Sequence, residues 1–208
     1  AGGGGGSRRC SATFHGMVGQ DETGRAYAAA LAGHGVTPAL LESPDAGAPT
    51  AVCACLVTPD GQRTMRTCLG AATGLGGVAG LPADWATGAD AVHVEGYALW
   101  REGLAGGLFS AARAARARPR RGPSLGGGGG AAAASPALPP PPLTSLDLAS
   151  FEVVRSRAGV VRALLEAGLV DLLFANEEEA AALGRAWGSE EGGGGGGGQS
   201  ACECGAAA

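Results

Sequence analysis

Apolar and polar positions alternate between two periods along this chain, and the switch is sharpest between residues 143 and 183. Leu143 to Leu148 forms a short apolar run suited to a buried strand. Val154, Ala158, Val161 and Leu165 then recur at helical spacing, giving one face that can lie on a sheet. Ser150 is placed to cap that helix, Glu152 suits the positive end of its dipole, and Gly168 ends it. Val170 to Phe174 is a second apolar run, and Asn176 to Glu179 opens a further helix. Strand, helix, strand, helix predicts a parallel pair joined by a right-handed crossover, with ligands at the carboxyl ends of the strands.

Upstream the pattern is weaker. Phe14 to Val18 reads as a strand, followed by a helix from about Asp21 to Ala32 with Asp21 as cap and Gly33-His34-Gly35 as stop. Ala51 to Val57 and Thr64 to Leu69 form a hairpin around Thr58-Pro59-Asp60-Gly61. Leu69 to Gly88 reads as loop with one helical turn. Ala91 to Glu95 is strand-like, and Leu104 to Arg118 is an alanine-rich helix.

Composition narrows the ordered part. The chain has 208 residues, enough for one domain, but 40 are glycine and aromatics make up 4%. The core must rest on Leu, Val and Ala. Residues 1–10 read as a flexible glycine-rich start, since no strand precedes them and no G-x-G-x-x-G spacing follows. Residues 122–142 read as a disordered insertion and 185–208 as a disordered tail, leaving 11–184 as the folded domain. All 15 basic residues are arginine, and the net charge is −4. The arginines from Arg113 to Arg121 carry no interleaved aromatics, so neither nucleic acid nor a membrane is expected as partner. No apolar stretch approaches the ~20 residues that cross a bilayer. The six cysteines, Cys10, Cys53, Cys55, Cys68, Cys202 and Cys204, fit neither a paired zinc site nor a disulfide framework. Cys53 and Cys55 share a strand face and read as buried reduced thiols, which points to a reducing, cytoplasmic location, with a plastid left open. His15 and His34 have no clustering partners and read as ordinary polar residues; Trp85 and Trp100 read as packing residues.

The block Ser145-Leu146-Asp147-Leu148-Ala149-Ser150, followed by Asp171-Leu172-Leu173-Phe174-Ala175-Asn176-Glu177-Glu178-Glu179-Ala180, resembles the middle of a ribokinase-type (PfkB) sugar and nucleoside kinase of plant and algal type. Val18-Gly19-Gln20-Asp21-Glu22-Thr23-Gly24, Pro59-Asp60-Gly61-Gln62-Arg63-Thr64 and Val94-Glu95-Gly96-Tyr97 support it in family order. The resemblance implies an α/β fold: a ribokinase-like three-layer sandwich with a mainly parallel sheet and a small β-hairpin lid, here truncated. It implies ATP and Mg²⁺ as cofactors, a sugar or nucleoside as phosphoryl acceptor, and a homodimer through the lid hairpin. By the same resemblance Asn176 and Glu179 serve the nucleotide and its metal, Glu95 binds an acceptor hydroxyl, and Arg63 or Arg66 faces the acceptor. Local sequence gives Asn176 and Glu179 a second reading, a helix capping box, and both readings stay open.

Several family parts are not found. The first family strand with its substrate aspartate is missing, and no Gly-Ala-Gly-Asp occurs anywhere in the chain. Thr87-Gly88-Ala89-Asp90 imitates that motif, but it leads into a strand rather than a helix. The expectation is a C-terminally incomplete family member without catalytic residues, inactive or nearly so. The alternative is a non-catalytic module that binds a sugar or a partner protein.

Overall fold

The computed structural model describes residues 10–115 and 141–190. The chain divides into two compact units, one ending at Trp85 and the other beginning at Ala86.

In the first unit, β1 (Ala12–Val18), α1 (Glu22–Gly33) and β2 (Val36–Glu42) form a strand–helix–strand unit. The two strands are parallel, with Ala12 opposite Val36 and Val18 opposite Glu42. Asp21 caps α1 as expected, accepting a 2.8 Å bond from the Gly24 amide. The same carboxylate also receives the Thr50 amide at 2.8 Å and the Thr50 hydroxyl at 2.6 Å, tying the helix start to a loop 29 residues away. Gly24 must be glycine there, because a Cβ would lie 2.7 Å from the Gly19 carbonyl. The strand β2 has no counterpart among the sequence expectations. Pro38 within it argues against a strand, yet among the described residues β2 pairs on one side only, where a missing N–H is tolerated.

β3 (Val52–Val57) and β4 (Arg63–Cys68) form the predicted hairpin, with Cys53 opposite Thr67 and Cys55 opposite Met65. The turn closes through Thr58 N–H to the Gln62 carbonyl at 2.9 Å, and Gly61 takes φ +84°. Every residue of the two strands is exposed. The expectation that Cys53 and Cys55 are buried is therefore corrected: among the described residues the ribbon has two strands and no layer on either face. Gly70–Gly74 and Val78–Gly80 form two 3₁₀ turns where one helical turn was expected.

The second unit is built on a parallel sheet in the order β5 (Ala91–Val94), β6 (Leu143–Asp147), β7 (Leu172–Phe174). A 3₁₀ turn at Gly96–Trp100 and α2 (Leu104–Ala114) follow β5, α3 (Phe151–Glu166) follows β6, and α4 (Glu177–Glu190) follows β7. Of the expected helix 104–118, residues 116–118 lie outside the described residues, as does 122–140 of the expected insertion. Pro142, assigned to that insertion, is fully buried and leads into β6. Phe109, Leu146, Leu148, Val153, Val154 and Val161 are fully buried, each contributing about 1.5–3 kcal/mol. The buried face of α3 is Val153, Val154, Ala158, Val161 and Leu164, so the expected Leu165 sits one position off and is half-buried.

A kink at Arg157 (φ −129°, ψ 15°) interrupts α3, where the guanidinium lies 5.0 Å from the centre of the Trp100 ring. The carboxylate of Asp171 holds the opposite end of the sheet. It pairs with Arg113 at 2.6 Å and accepts the Thr144 amide at 2.8 Å and hydroxyl at 2.9 Å. α4 runs to Glu190, past residue 184 where order was expected to end. Trp187 explains the extension, since its indole N–H donates to the Ala158 carbonyl at 3.3 Å and anchors this turn on α3.

Candidate active site

The carboxyl ends of β5, β6 and β7 bring three acidic segments to one edge of the second unit's sheet. Val94 is opposite Leu146, and Asp147 is opposite Phe174, so Glu95, Asp147 and Asn176 follow or end neighbouring strands. Glu95 caps the 3₁₀ turn after β5, its Oε2 accepting the Tyr97 amide at 3.1 Å. Protein atoms around its carboxyl exclude enough water to push its pKa above the ordinary Glu value. The Tyr97 bond opposes that shift, and the Asp147 carboxylate reinforces it.

Gly96 makes this juxtaposition sterically possible. A Cβ there would lie 2.4 Å from the Asp147 carbonyl oxygen and 2.7 Å from the Leu148 carbonyl carbon. Only glycine lets the backbone after β5 rest against the turn after β6. That turn is itself unusual: Ala149 takes φ +64°, held by its amide bonding to Asp147 Oδ1 at 2.7 Å. The turn aims Ser150, which caps α3 by accepting the Val153 amide at 3.3 Å.

After β7 the chain enters α4 through a reciprocal cap. Asn176 Oδ1 accepts the Glu179 amide at 2.9 Å, and Glu179 Oε2 accepts the Asn176 amide at 2.9 Å. Glu179 is buried at 5% exposure while Asn176, Glu177 and Glu178 are exposed. The capping reading left open by the sequence is thus realised in full. It does not displace the other: the bonds fix hard oxygen donors in place at a helix start. Three glutamates in the first turn of α4 make its start a poor place for a bare anion and a good one for a cation–anion pair.

Of the four residues singled out by the sequence, Glu95, Asn176 and Glu179 belong to this edge. Arg63 belongs to the first unit, exposed at the start of β4. Asp147, which the sequence reading placed in the resemblance but gave no role, is the acidic neighbour of Glu95. Its position as the last residue of β6 was the signal available. Asp90 ends no helix and starts none; its carbonyl accepts the Leu143 amide at 3.0 Å beside the sheet, so the imitation motif has no anion hole. Among the described residues no group of three His, Cys, Asp or Glu side chains is placed to hold a metal without other ligands. No described helix is long and apolar enough to cross a membrane.

Comparison with known proteins gives this edge its context. The model of the pfkB family carbohydrate kinases matches residues 4–119, more than half of the chain. Among solved structures, adenosine kinase from Sinorhizobium meliloti is similar at 27% identity and TM-score 0.63, over 84% of this chain and 46% of that one. A probable sugar kinase from Rhizobium etli CFN 42 is similar at 28% identity and TM-score 0.63, with the same coverage of 84% and 46%. Fructokinase from Xylella fastidiosa shares the fold at 19% identity and TM-score 0.59, over 85% of this chain and 48% of that one. The chain spans less than half the length of each of these structures. No curated protein matches it. The parallel strands, the α/β element order and these neighbours agree on a ribokinase-like fold, and the chain belongs to the PfkB family of carbohydrate kinases.

Proposed function

We propose that these 208 residues carry the acceptor-binding and metal-placing part of an ATP- and Mg²⁺-dependent phosphotransferase, with a nucleoside or sugar hydroxyl as acceptor. The observation that supports this most is the placing of Glu95 beside Asp147 at the strand ends, on the same sheet edge as the Asn176–Glu179 cap. A carboxyl whose pKa is raised by partial desolvation holds a neutral hydroxyl donor well, because the bond is not diluted by water. Glu95 would accept from the acceptor's hydroxyl, and Gly96 would hold it at this edge by letting the backbone after β5 rest on the turn after β6. A nucleoside is the acceptor to test first, beside sugars, since the similar structures include an adenosine kinase at 27% identity and a probable sugar kinase at 28%.

Asn176 and Glu179 would hold Mg²⁺ through water rather than directly, which suits a cation that keeps its hydration shell and donors already engaged in a cap. When bound, the cation neutralises charge on the nucleotide phosphates. The sequence contains no Gly-Ala-Gly-Asp, so no general base of the family type is available within it. Loss of such a base costs about 10²–10⁴-fold in rate. The chain by itself is therefore expected to bind an acceptor and not to transfer phosphate.

Calorimetric titration with adenosine, ribose and fructose, beside an assay of ADP release from ATP, tests both parts. Adenosine binding that weakens by about 10-fold or more in Glu95→Gln, a loss of roughly one good hydrogen bond to a charged group, is the expected result. Absence of binding to all three compounds would overturn the acceptor site, and ADP release at family-like rates would overturn the absence of transfer.

A further inference from the structure

The hairpin of the first unit carries a sulfur cluster that phosphoryl transfer does not use. Cys53 and Cys55 are two residues apart on β3, so their side chains leave the same face, with Cα atoms roughly 7 Å apart. The register places Met65 directly opposite Cys55 and Thr67 opposite Cys53. Directly opposed residues share a face, with Cβ atoms ~4.5–5.5 Å apart. The Thr67 hydroxyl donates to Cys53 Sγ at 3.2 Å, which fixes that sulfur on the cross-strand side. Two thiols and a thioether thus converge on one exposed face of the ribbon, and both cysteines are unpaired and exposed. Arg63, opposite Val57 and two residues before Met65, brings a guanidinium to the same face.

We propose that Cys53, Cys55 and Met65 form a binding site for a soft monovalent cation, Cu(I). Thiolate and thioether sulfur select Cu(I) over the hard cations that oxygen ligands hold. Binding replaces the two thiol protons by one Cu⁺, releasing two H⁺ and leaving a bis-thiolate complex of charge −1, with no change of oxidation state. Met65 completes the coordination as a neutral third donor, and the Arg63 charge offsets the net negative complex. A strand pair is well suited to such a site. Its backbone hydrogen bonds hold the three Cβ atoms, the Thr67 hydroxyl keeps Cys53 Sγ on the cross-strand side, and exposure lets Cys55 and Met65 rotate toward it. Cys68 is opposite Val52, in the alternate register that faces the other side of the ribbon, and supplies an internal control.

The test is anaerobic titration of the full chain with Cu(I) against a chromophoric Cu(I) chelator, following thiolate-to-copper absorption. The background is Cys202→Ser/Cys204→Ser, which removes the second C-x-C of the sequence. One tight equivalent is expected. Cys53→Ser or Cys55→Ser should weaken it by more than about 100-fold, since losing even an outer-shell partner of a metal ligand costs ~10–100-fold. Met65→Leu should weaken it by about 10-fold, and Cys68→Ser should leave it unchanged. These side chains are exposed, so circular dichroism should show every variant folded. A tight equivalent that disappears in the Cys202→Ser/Cys204→Ser background, or that survives Cys53→Ser and Cys55→Ser, overturns the proposal. So does one as sensitive to Cys68→Ser as to either.

Discussion

Replacing Glu179 separates its two roles, because the cap and the cation ask different things of the side chain. Glu179→Ala removes the acceptor for the Asn176 amide and the buried stem that carries it. A hydrogen bond to a charged group contributes about 1.5 kcal/mol, and the one buried methylene that Ala lacks about 0.8 kcal/mol, so the loss is on the order of 2 kcal/mol. Glu179→Gln keeps the stem and a carbonyl acceptor, giving up only the charge at the helix start, about 0.3–1 kcal/mol. Asn176→Ala removes the other half of the cap and should cost about 1 kcal/mol. Urea unfolding followed by far-ultraviolet circular dichroism would measure all three, and the Asn176→Ala/Glu179→Ala double variant would give the coupling between them. The reasoning fails if Gln destabilises as much as Ala, or if the double variant shows no coupling. Titration of Mg²⁺–ATP on the same proteins then isolates the metal role. Gln, nearly native in stability, should bind the complex more weakly than the parent, whereas a residue serving only the cap would bind it equally.

Gly96→Ala should cost about 1–3 kcal/mol, since its Cβ would meet two backbone carbonyl groups that cannot rotate aside; thermal unfolding would show it, and a neutral outcome would mean the β5 and β6 ends are not in contact. Glu95 has a raised pKa, so the folded state binds its proton more tightly than the unfolded chain does. That contribution is fully present below the unfolded pKa and is lost as pH rises through the folded one. Glu95→Gln should therefore raise the melting temperature relative to the parent at pH 7 and lose that advantage near pH 4, read from melts across that range. Asp171 has the opposite sign: the Thr144 amide bond, then the Arg113 bond, holds its pKa below the ordinary Asp value. Its contribution is present above the unfolded pKa and is lost as pH falls through the folded one, so Asp171→Asn should flatten the acid side of the stability profile. Asp171→Ala, which strips partners from the fully buried Thr144, should cost about 1–3 kcal/mol in urea unfolding.

Local pattern was enough for the elements whose signals are local. The α1 cap at Asp21, the turn at Gly61, the α3 cap at Ser150 and the reciprocal bonds of Asn176 and Glu179 each depend on residues within a few positions, and each is where the chain chemistry put it. Periodicity also announced the strands of the second unit, because apolar runs between caps leave few other conformations. What it missed depended on neighbours far along the chain. Pro38 obscured β2, whose single-sided pairing with β1 made the proline harmless. The exposure of Cys53 and Cys55 followed from there being no covering layer on the ribbon among the described residues, which alternation cannot reveal. The shift in Glu95 came first from burial in the fold, with Asp147, 52 residues away, adding to it, and the order of α4 beyond residue 184 required Trp187 to find the Ala158 carbonyl. Sequence alone determined where the capped helices and the hairpin turn begin, and which family motifs they carry, because caps and turns are decided within a few residues. Tertiary structure alone decided which carboxylates share an edge and which sulfurs face solvent, because burial and field are properties of neighbours brought together by folding.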